Sequence, residues 1–210
     1  MSSLGHIFRA ATTLSALTGA SALYSFAILA LGLTVFSLPE YGKLTQIIAA
    51  YGLLTRIIAW GFEFQLRDVL DAEQLQNSEL VLGKALLFVP AALIFLLINA
   101  LIWRSDFSMV MVLGLLSFCF NTQVYYQAVS NQREIIFSVV LGLAIGVVFI
   151  AICVFQNAVT PTTYLVAILI APNIGWVTSF LFGMRQRREI LNVKRSFRAV
   201  TCCTQMLPLS

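Results

Sequence analysis

Six apolar stretches, at about 11–37, 44–66, 81–103, 107–128, 135–155 and 162–183, fill most of this chain, and each is long enough to cross the roughly 30 Å hydrocarbon core of a bilayer as a helix. Inside hydrocarbon a backbone amide has no water to bond, so each stretch must satisfy its own N–H and C=O groups as a helix. The composition agrees: 60% of the residues are hydrophobic and 10% charged, against about 25% charged in an ordinary soluble domain. The expected fold class is an all-α integral membrane protein with six transmembrane helices. Residues 1–185 form the membrane body and 186–210 a basic tail.

Orientation is read from the positive charges. With the amino terminus on one side, that side receives Arg9, Arg67, Lys84, Arg133, Arg185, Arg187, Arg188, Lys194, Arg195 and Arg198, while the other receives Lys43 and Arg104. Lys and Arg favour cytoplasmic loops, so ten against two places both termini in the cytoplasm. The thirteenth basic residue, Arg56, lies inside a span. Residues 185–198 carry six basic residues and one acid, Glu189, so this block is +5 and the rest of the chain −1, which together give the net charge of +4. Directly after a membrane helix such a block meets anionic headgroups, and nucleic acid is not an expected partner. The first apolar stretch is nearly twice the length of a signal-peptide core and reads as a retained span.

Four cysteines and a single terminal histidine, His6, give no metal-ligand spacing, and no cofactor is expected. Cys119 and Cys153 read as small packing groups inside helices, and Cys202 and Cys203 as tail thiols. Asp68, Asp71, Glu73 and Glu79 read as a solvated acidic stretch rather than a calcium loop. There is no zinc-protease helix, phosphate loop or nucleophile elbow, and the outer loops are too short for a catalytic domain, so an enzyme is not expected.

Function therefore rests on what interrupts the apolar background. The first helix carries Thr12, Thr13, Ser15, Thr18, Gly19, Ser21 and Ser25. Ser15-x-x-x-Gly19 suits close helix contact, and the hydroxyls could instead line an aqueous cavity. Leu38-Pro39-Glu40-Tyr41-Gly42-Lys43 reads as a sharp connection to the second helix. There Gly52, Arg56, Ala59, Trp60, Glu63 and Arg67 form one stripe at helical spacing. An arginine in mid-membrane costs at least about 2.5–3.5 kcal/mol, so Arg56 should face protein or water. It is either a cavity-facing cation or one half of a structural ion pair.

Pro90 and Asn99 interrupt the third helix. Asn121, Gln123, Tyr125, Tyr126 and Gln127 enrich the fourth in groups that bind sugars or join helices. Gly142-x-x-x-Gly146 on the fifth is a packing seam. Ala171-Pro172-Asn173-Ile174-Gly175-Trp176 marks either a break or a kink in the sixth.

The run Leu38 to Lys43, followed by Ile58-Ala59-Trp60-Gly61-Phe62 and Arg67, resembles the start of bacterial polysaccharide (O-antigen) flippases of the multidrug/oligosaccharidyl-lipid/polysaccharide exporter superfamily. Leu53 to Gly61 is also similar to the second helix of the related lipid II flippases, where two arginines contact the anionic substrate; Arg56 matches one and Thr55 stands at the other. The resemblance covers about residues 8–185. It implies one six-helix lobe of a two-lobed exporter in the cell inner membrane, its partner lobe lying beyond a loop at which this chain stops. The implied cargo is a polyprenyl-diphosphate-linked oligosaccharide. Arg56 would hold the diphosphate, and Gln123, Gln127, Tyr126, Asn173 and Ser25 would contact sugars. Expected partners are membrane lipids, a carboxy-terminal half-transporter and polysaccharide assembly proteins. Two other readings remain open: a membrane scaffold without transport, and a drug or ion antiporter of the same superfamily.

Overall fold

The computed structural model describes residues 2–59, 77–128 and 132–187, which are helical apart from short connections, with no strand among them. The elements are α1 (Ser2–Val35), α2 (Leu38–Ala59), α3 (Asn77–Ile98) with a π turn at Asn99–Trp103, α4 (Ser108–Cys119), α5 (Gln123–Ala128), α6 (Gln132–Phe155), α7 (Pro161–Leu165) with a π turn at Val166–Ile170, and α8 (Ala171–Arg187). Four segments are long and apolar enough to cross a membrane: Thr12–Val35, Asn77–Trp103, Gln132–Phe155 and Pro161–Phe182. The expected second and fourth spans are not among these four: of 44–66 only the residues up to Ala59 are described, and the fourth is divided into α4 and α5 by Phe120, Asn121 and Thr122.

Large side chains point outward. On α3 the residues Val89, Leu93, Leu97 and Leu101 are exposed at four-residue spacing, while Ala91, Ala92 and Phe95 are buried. On α6 Phe137, Val140, Val147, Val148 and Ile152 are exposed, whereas Ser138, Gly142 and Gly146 face inward. A soluble protein could not leave so much contiguous apolar surface in water. With lipid outside there is no hydrophobic drive to bury Val or Leu, so small residues take the interior and let backbones approach.

The closest packing joins α6 to α8. A Cβ on Gly175 would strike the Ser138 carbonyl oxygen, one on Gly142 the Pro172 carbonyl oxygen, and one on Gly146 the Tyr24 hydroxyl. The seam read at Gly142 and Gly146 is therefore used, and Gly175 completes it from the facing helix. Ser179 on α8 adds a 2.6 Å hydrogen bond to the Glu134 carboxylate on α6. Elsewhere the core gathers Ile28, Leu44, Ile47, Leu54, Ile58, Phe95, Met111, Leu115, Tyr164 and Leu169.

Several boundaries differ from the sequence expectations. The connection between α1 and α2 is only Phe36 and Ser37, and Pro39 opens α2 rather than merely ending α1. Proline suits a helix's first turn, where its missing N–H has no partner to lose. Glu40 takes hydrogen bonds from the Ser37 backbone N–H (3.2 Å) and hydroxyl (2.7 Å), the N3 half of a capping box. The segment Pro161–Phe182 starts on a full box at α7, with Thr160 and Thr163 bonding each other's backbone N–H and Pro161 next in line. Asn77 and Glu79, read as part of a solvated stretch, are buried in the first turn of α3. Trp60, Glu63, Arg67, the acids at 68, 71 and 73, Cys202, Cys203 and the tail from 188 onward lie outside the described residues.

Candidate functional site

α2 divides cleanly into two faces. Leu44, Ile47, Leu54, Thr55 and Ile58 are buried against the bundle. Gln46, Ala49, Gly52, Leu53 and Arg56 fall on the opposite, exposed side at helical spacing. Nothing lies within 4 Å of where a Gly52 Cβ would stand. Ala59, grouped with Arg56 in the sequence stripe, is buried instead. Thr55 caps no substrate surface: it is buried and donates to the Gly52 carbonyl at 2.8 Å.

α1 behaves likewise. Tyr24, Ile28 and Gly32 pack inward, whereas Thr12, Ser15, Thr18, Gly19 and Ser25 are exposed. Thr18 and Ser21 donate back to the Leu14 and Leu17 carbonyls (2.9 and 3.0 Å), and Gly19 faces open space. Ser15-x-x-x-Gly19 is therefore not a contact between described helices, contrary to one of its two sequence readings. α1 and α2 thus carry uncovered faces that combine small residues, hydroxyls, an amide and a guanidinium.

The interior holds a second polar system, organised by the π turn at Val166–Ile170. Within it the Ala171 N–H bonds the Val166 carbonyl, which strips the Ala167 carbonyl of its helical donor. Pro172, without an N–H, does the same to Ile168. Tyr24 from α1 donates to the Ala167 carbonyl at 2.7 Å. The Leu169 carbonyl receives Tyr51 of α2 (3.3 Å) and the Asn173 amide (3.0 Å). Asn173 also donates to the Tyr51 hydroxyl (3.1 Å) and Ser117 Oγ (3.3 Å). The discontinuity read at Ala171 to Trp176 is thus a widened turn just before the proline; its freed Ala167 carbonyl is met by Tyr24 of α1, and its Leu169 carbonyl is bonded by Tyr51 of α2.

No family model, curated protein or solved structure matches this chain. Its site must be judged on geometry alone.

The six residues singled out in the sequence separate into two groups. Ser25, Arg56 and Gln127 are exposed, with Gln123 half-buried four residues before Gln127. Asn173 and Tyr126 are interior. Tyr126 accepts a 3.1 Å hydrogen bond from Asn77 and stacks on Trp176 at a 6.3 Å centroid distance. Asn173 joins α2, α4 and α8 through the bonds above. These two hold helices together, while Ser25, Arg56 and Gln127 lie on exposed faces and Gln123 at the edge of one.

Lys84 is the residue that sequence reasoning placed least well. It counts toward the cytoplasmic side, at the start of the expected third span 81–103, yet it lies two turns inside α3 with 3% of its surface exposed. Its ammonium donates to the Asn121 carbonyl and sits 5.1 Å from the Phe118 ring centroid. Without it the asymmetry is nine to two, in the same direction. The signal was present: Leu80, Val81, Leu82 and Gly83 precede Lys84 without another charge. Asn99 acts similarly at the opposite end of α3. It bonds the Ser105 N–H, hydroxyl and carbonyl at 3.1, 2.6 and 3.0 Å, fixing the reversal at Arg104, whose φ is 47°.

Proposed function

We propose that this chain is a six-helix lobe of a bacterial flippase that carries polyprenyl-diphosphate-linked oligosaccharide repeat units across the inner membrane. In this reading both termini are cytoplasmic. The four long apolar helices are joined as spans by α2 and by the α4–α5 pair, and a second lobe, in this or another chain, supplies the opposite wall. The observation that carries the reading is the exposed face of α2, where Arg56 is exposed one turn from Gly52 and on the same side of the helix as Gln46.

A diphosphate cannot enter hydrocarbon without a cation and water, and guanidinium binds phosphate oxygens bidentately. Gly52 leaves room above Arg56 for a bulky group. Gln123, Gln127 and Ser25 offer amides and a hydroxyl to sugars, while Tyr126 and Asn173 brace the helices behind them. The prenyl chain stays in lipid, where the exposed leucines and valines already are. The work is transport, with no covalent step assigned to any residue.

The test needs both walls, so the chain is co-expressed with a matching second lobe in cells lacking their own flippase. Surface polysaccharide is then compared for the parent, Arg56→Lys and Arg56→Leu at equal protein levels. Export should fall most with Leu and partly with Lys; undiminished export by Arg56→Leu would remove the diphosphate role. Orientation is checked with an impermeant thiol reagent on spheroplasts of cysteine variants. Positions 43 and 104 should label and 127 should not, and labelling of 127 from outside rejects this topology.

A non-transporting scaffold is the second reading, favoured by the internal bonds of Asn173 and Tyr126. It predicts that Arg56→Leu changes partner assembly and leaves export intact.

A further inference from the structure

The fourth helix is interrupted at a place where a buried cation waits. α4 closes with two tight bonds, from the Phe120 N–H to the Ser117 carbonyl (3.2 Å) and from the Asn121 N–H to the Phe118 carbonyl (2.9 Å). Asn121 then turns its side chain onto the Gln123 N–H (3.3 Å), a local alternative to helix that asparagine readily adopts. α5 begins afresh as the Tyr126 N–H bonds the Thr122 carbonyl at 3.2 Å. The Asn121 carbonyl, at the centre of the interruption, takes the Lys84 ammonium as its donor, with the Phe118 ring face on another side of the charge.

α3 grips the same segment a second time. Asn77, seven residues before Lys84 and so on the same helix face, donates to the Tyr126 hydroxyl at 3.1 Å. Tyr126 is stacked in turn on Trp176 of α8, with planes 19° apart. α5 (Gln123–Ala128) follows this interruption directly. Its direction is set by these contacts, and with it the outward aim of Gln123 and Gln127, four residues apart on one face.

We propose that Lys84 is a positioning residue: its ammonium, bound to the Asn121 carbonyl, fixes α5 and thereby the orientation of Gln123 and Gln127. The importance of that orientation rests on the flippase reading, in which these amides meet the sugars. A charged hydrogen bond of this kind is worth about ten- to a hundredfold in a local opening equilibrium. Its loss should loosen α5 without dissolving the bundle.

The experiment follows amide hydrogen exchange in nanodiscs for the parent, Lys84→Met and Lys84→Arg. Trp176 emission is read alongside, in a background where Trp60 and Trp103 are phenylalanine. In Lys84→Met the amides of residues 121–127 should exchange at least about tenfold faster, with a shift in Trp176 emission and unchanged protection in α6 and α8. Lys84→Arg keeps donors and should recover most of the protection. Equal protection in Lys84→Met and the parent overturns the proposal. So does a Lys84→Met chain that fails to insert while Lys84→Arg inserts, since Lys84 would then serve the whole fold. If no variant inserts, the parent decides: fast exchange across 123–127 there refutes a fixed α5, and protection matching α3 supports it.

Farnesyl diphosphate, bare and bearing one N-acetylglucosamine, supplies the functional arm. Lys84→Met should lose at least about tenfold of the sugar-dependent gain in affinity and keep the affinity for the bare probe. A parent with no sugar-dependent gain counts against the flippase reading of Gln123 and Gln127, and the exchange data still decide whether Lys84 holds α5.

Discussion

Replacing Gly175 by alanine adds one methyl group at the tightest helix crossing in the molecule. The new Cβ would press on the Ser138 carbonyl oxygen, with the carbonyl carbon at 2.7 Å and the Gly142 nitrogen at 2.9 Å. Ordinary contact begins at 3.4 Å, so relieving the carbon contact alone requires α6 and α8 to part by about 0.7 Å. Every atom in the way is backbone, and no side chain can rotate to make room. Overpacking of this kind costs about 1–3 kcal/mol, while alanine recovers up to about 1 kcal/mol of helix propensity. The net expectation is a loss of up to about 2 kcal/mol, spread along the Ser138, Gly142 and Gly146 seam. Gly52→Ala is the internal control, because open space surrounds its Cβ position and only the propensity gain of about 0.5–1 kcal/mol remains. Thermal unfolding in detergent micelles, followed by tryptophan emission, should rank Gly52→Ala at or above the parent and Gly175→Ala clearly below. A Gly175→Ala midpoint equal to the parent's would refute the crossing as drawn.

Tyr24→Phe keeps the ring that packs against Gly146 and removes only the hydroxyl bonded to the Ala167 carbonyl. The orphaned carbonyl in the π turn should cost about 1–3 kcal/mol in the same unfolding assay, and an unchanged midpoint would mean the turn does not depend on α1. At the turn between α1 and α2, outside the long spans, the Ser37 hydroxyl and then its N–H hold the exposed Glu40 carboxyl below its ordinary range. A depressed folded value means the cap is complete above the ordinary carboxylate range and is lost as pH falls through the folded value. Ser37→Ala should raise the Glu40 titration midpoint, observed by carbon NMR of a labelled Glu40, and a midpoint indifferent to Ser37 would show that the cap does not form.

The candidate site was only partly legible. Arg56 could be chosen from the sequence because one guanidinium in an apolar helix has few explanations, and its exposure on α2 follows from its offset to Leu54, Thr55 and Ile58. Asn173 and Tyr126 look the same in a sequence whether they face a ligand or another helix. Their hydrogen bonds run to Tyr51, Ser117 and Asn77, from segments 122, 56 and 49 residues away. No spacing rule encodes such pairings.

What the sequence determined by itself is the all-helical character and four of the long apolar helices, since a backbone in hydrocarbon must bond within its own segment and an apolar run of sufficient length dictates that outcome. It also marked a sharp connection around Leu38 to Lys43 and the small-residue seam on α6, which are local in the chain. Tertiary structure decided which side of each helix faces inward, because on α3 and α6 both sides are apolar and lipid rewards neither. It decided that Lys84 enters the bundle, because the donor it supplies answers a carbonyl freed 37 residues later in the chain. The π turn before Pro172 arises in the same way. A widened helix leaves the Ala167 carbonyl without its helical donor, and a helix folded against it, bringing Tyr24, satisfies it.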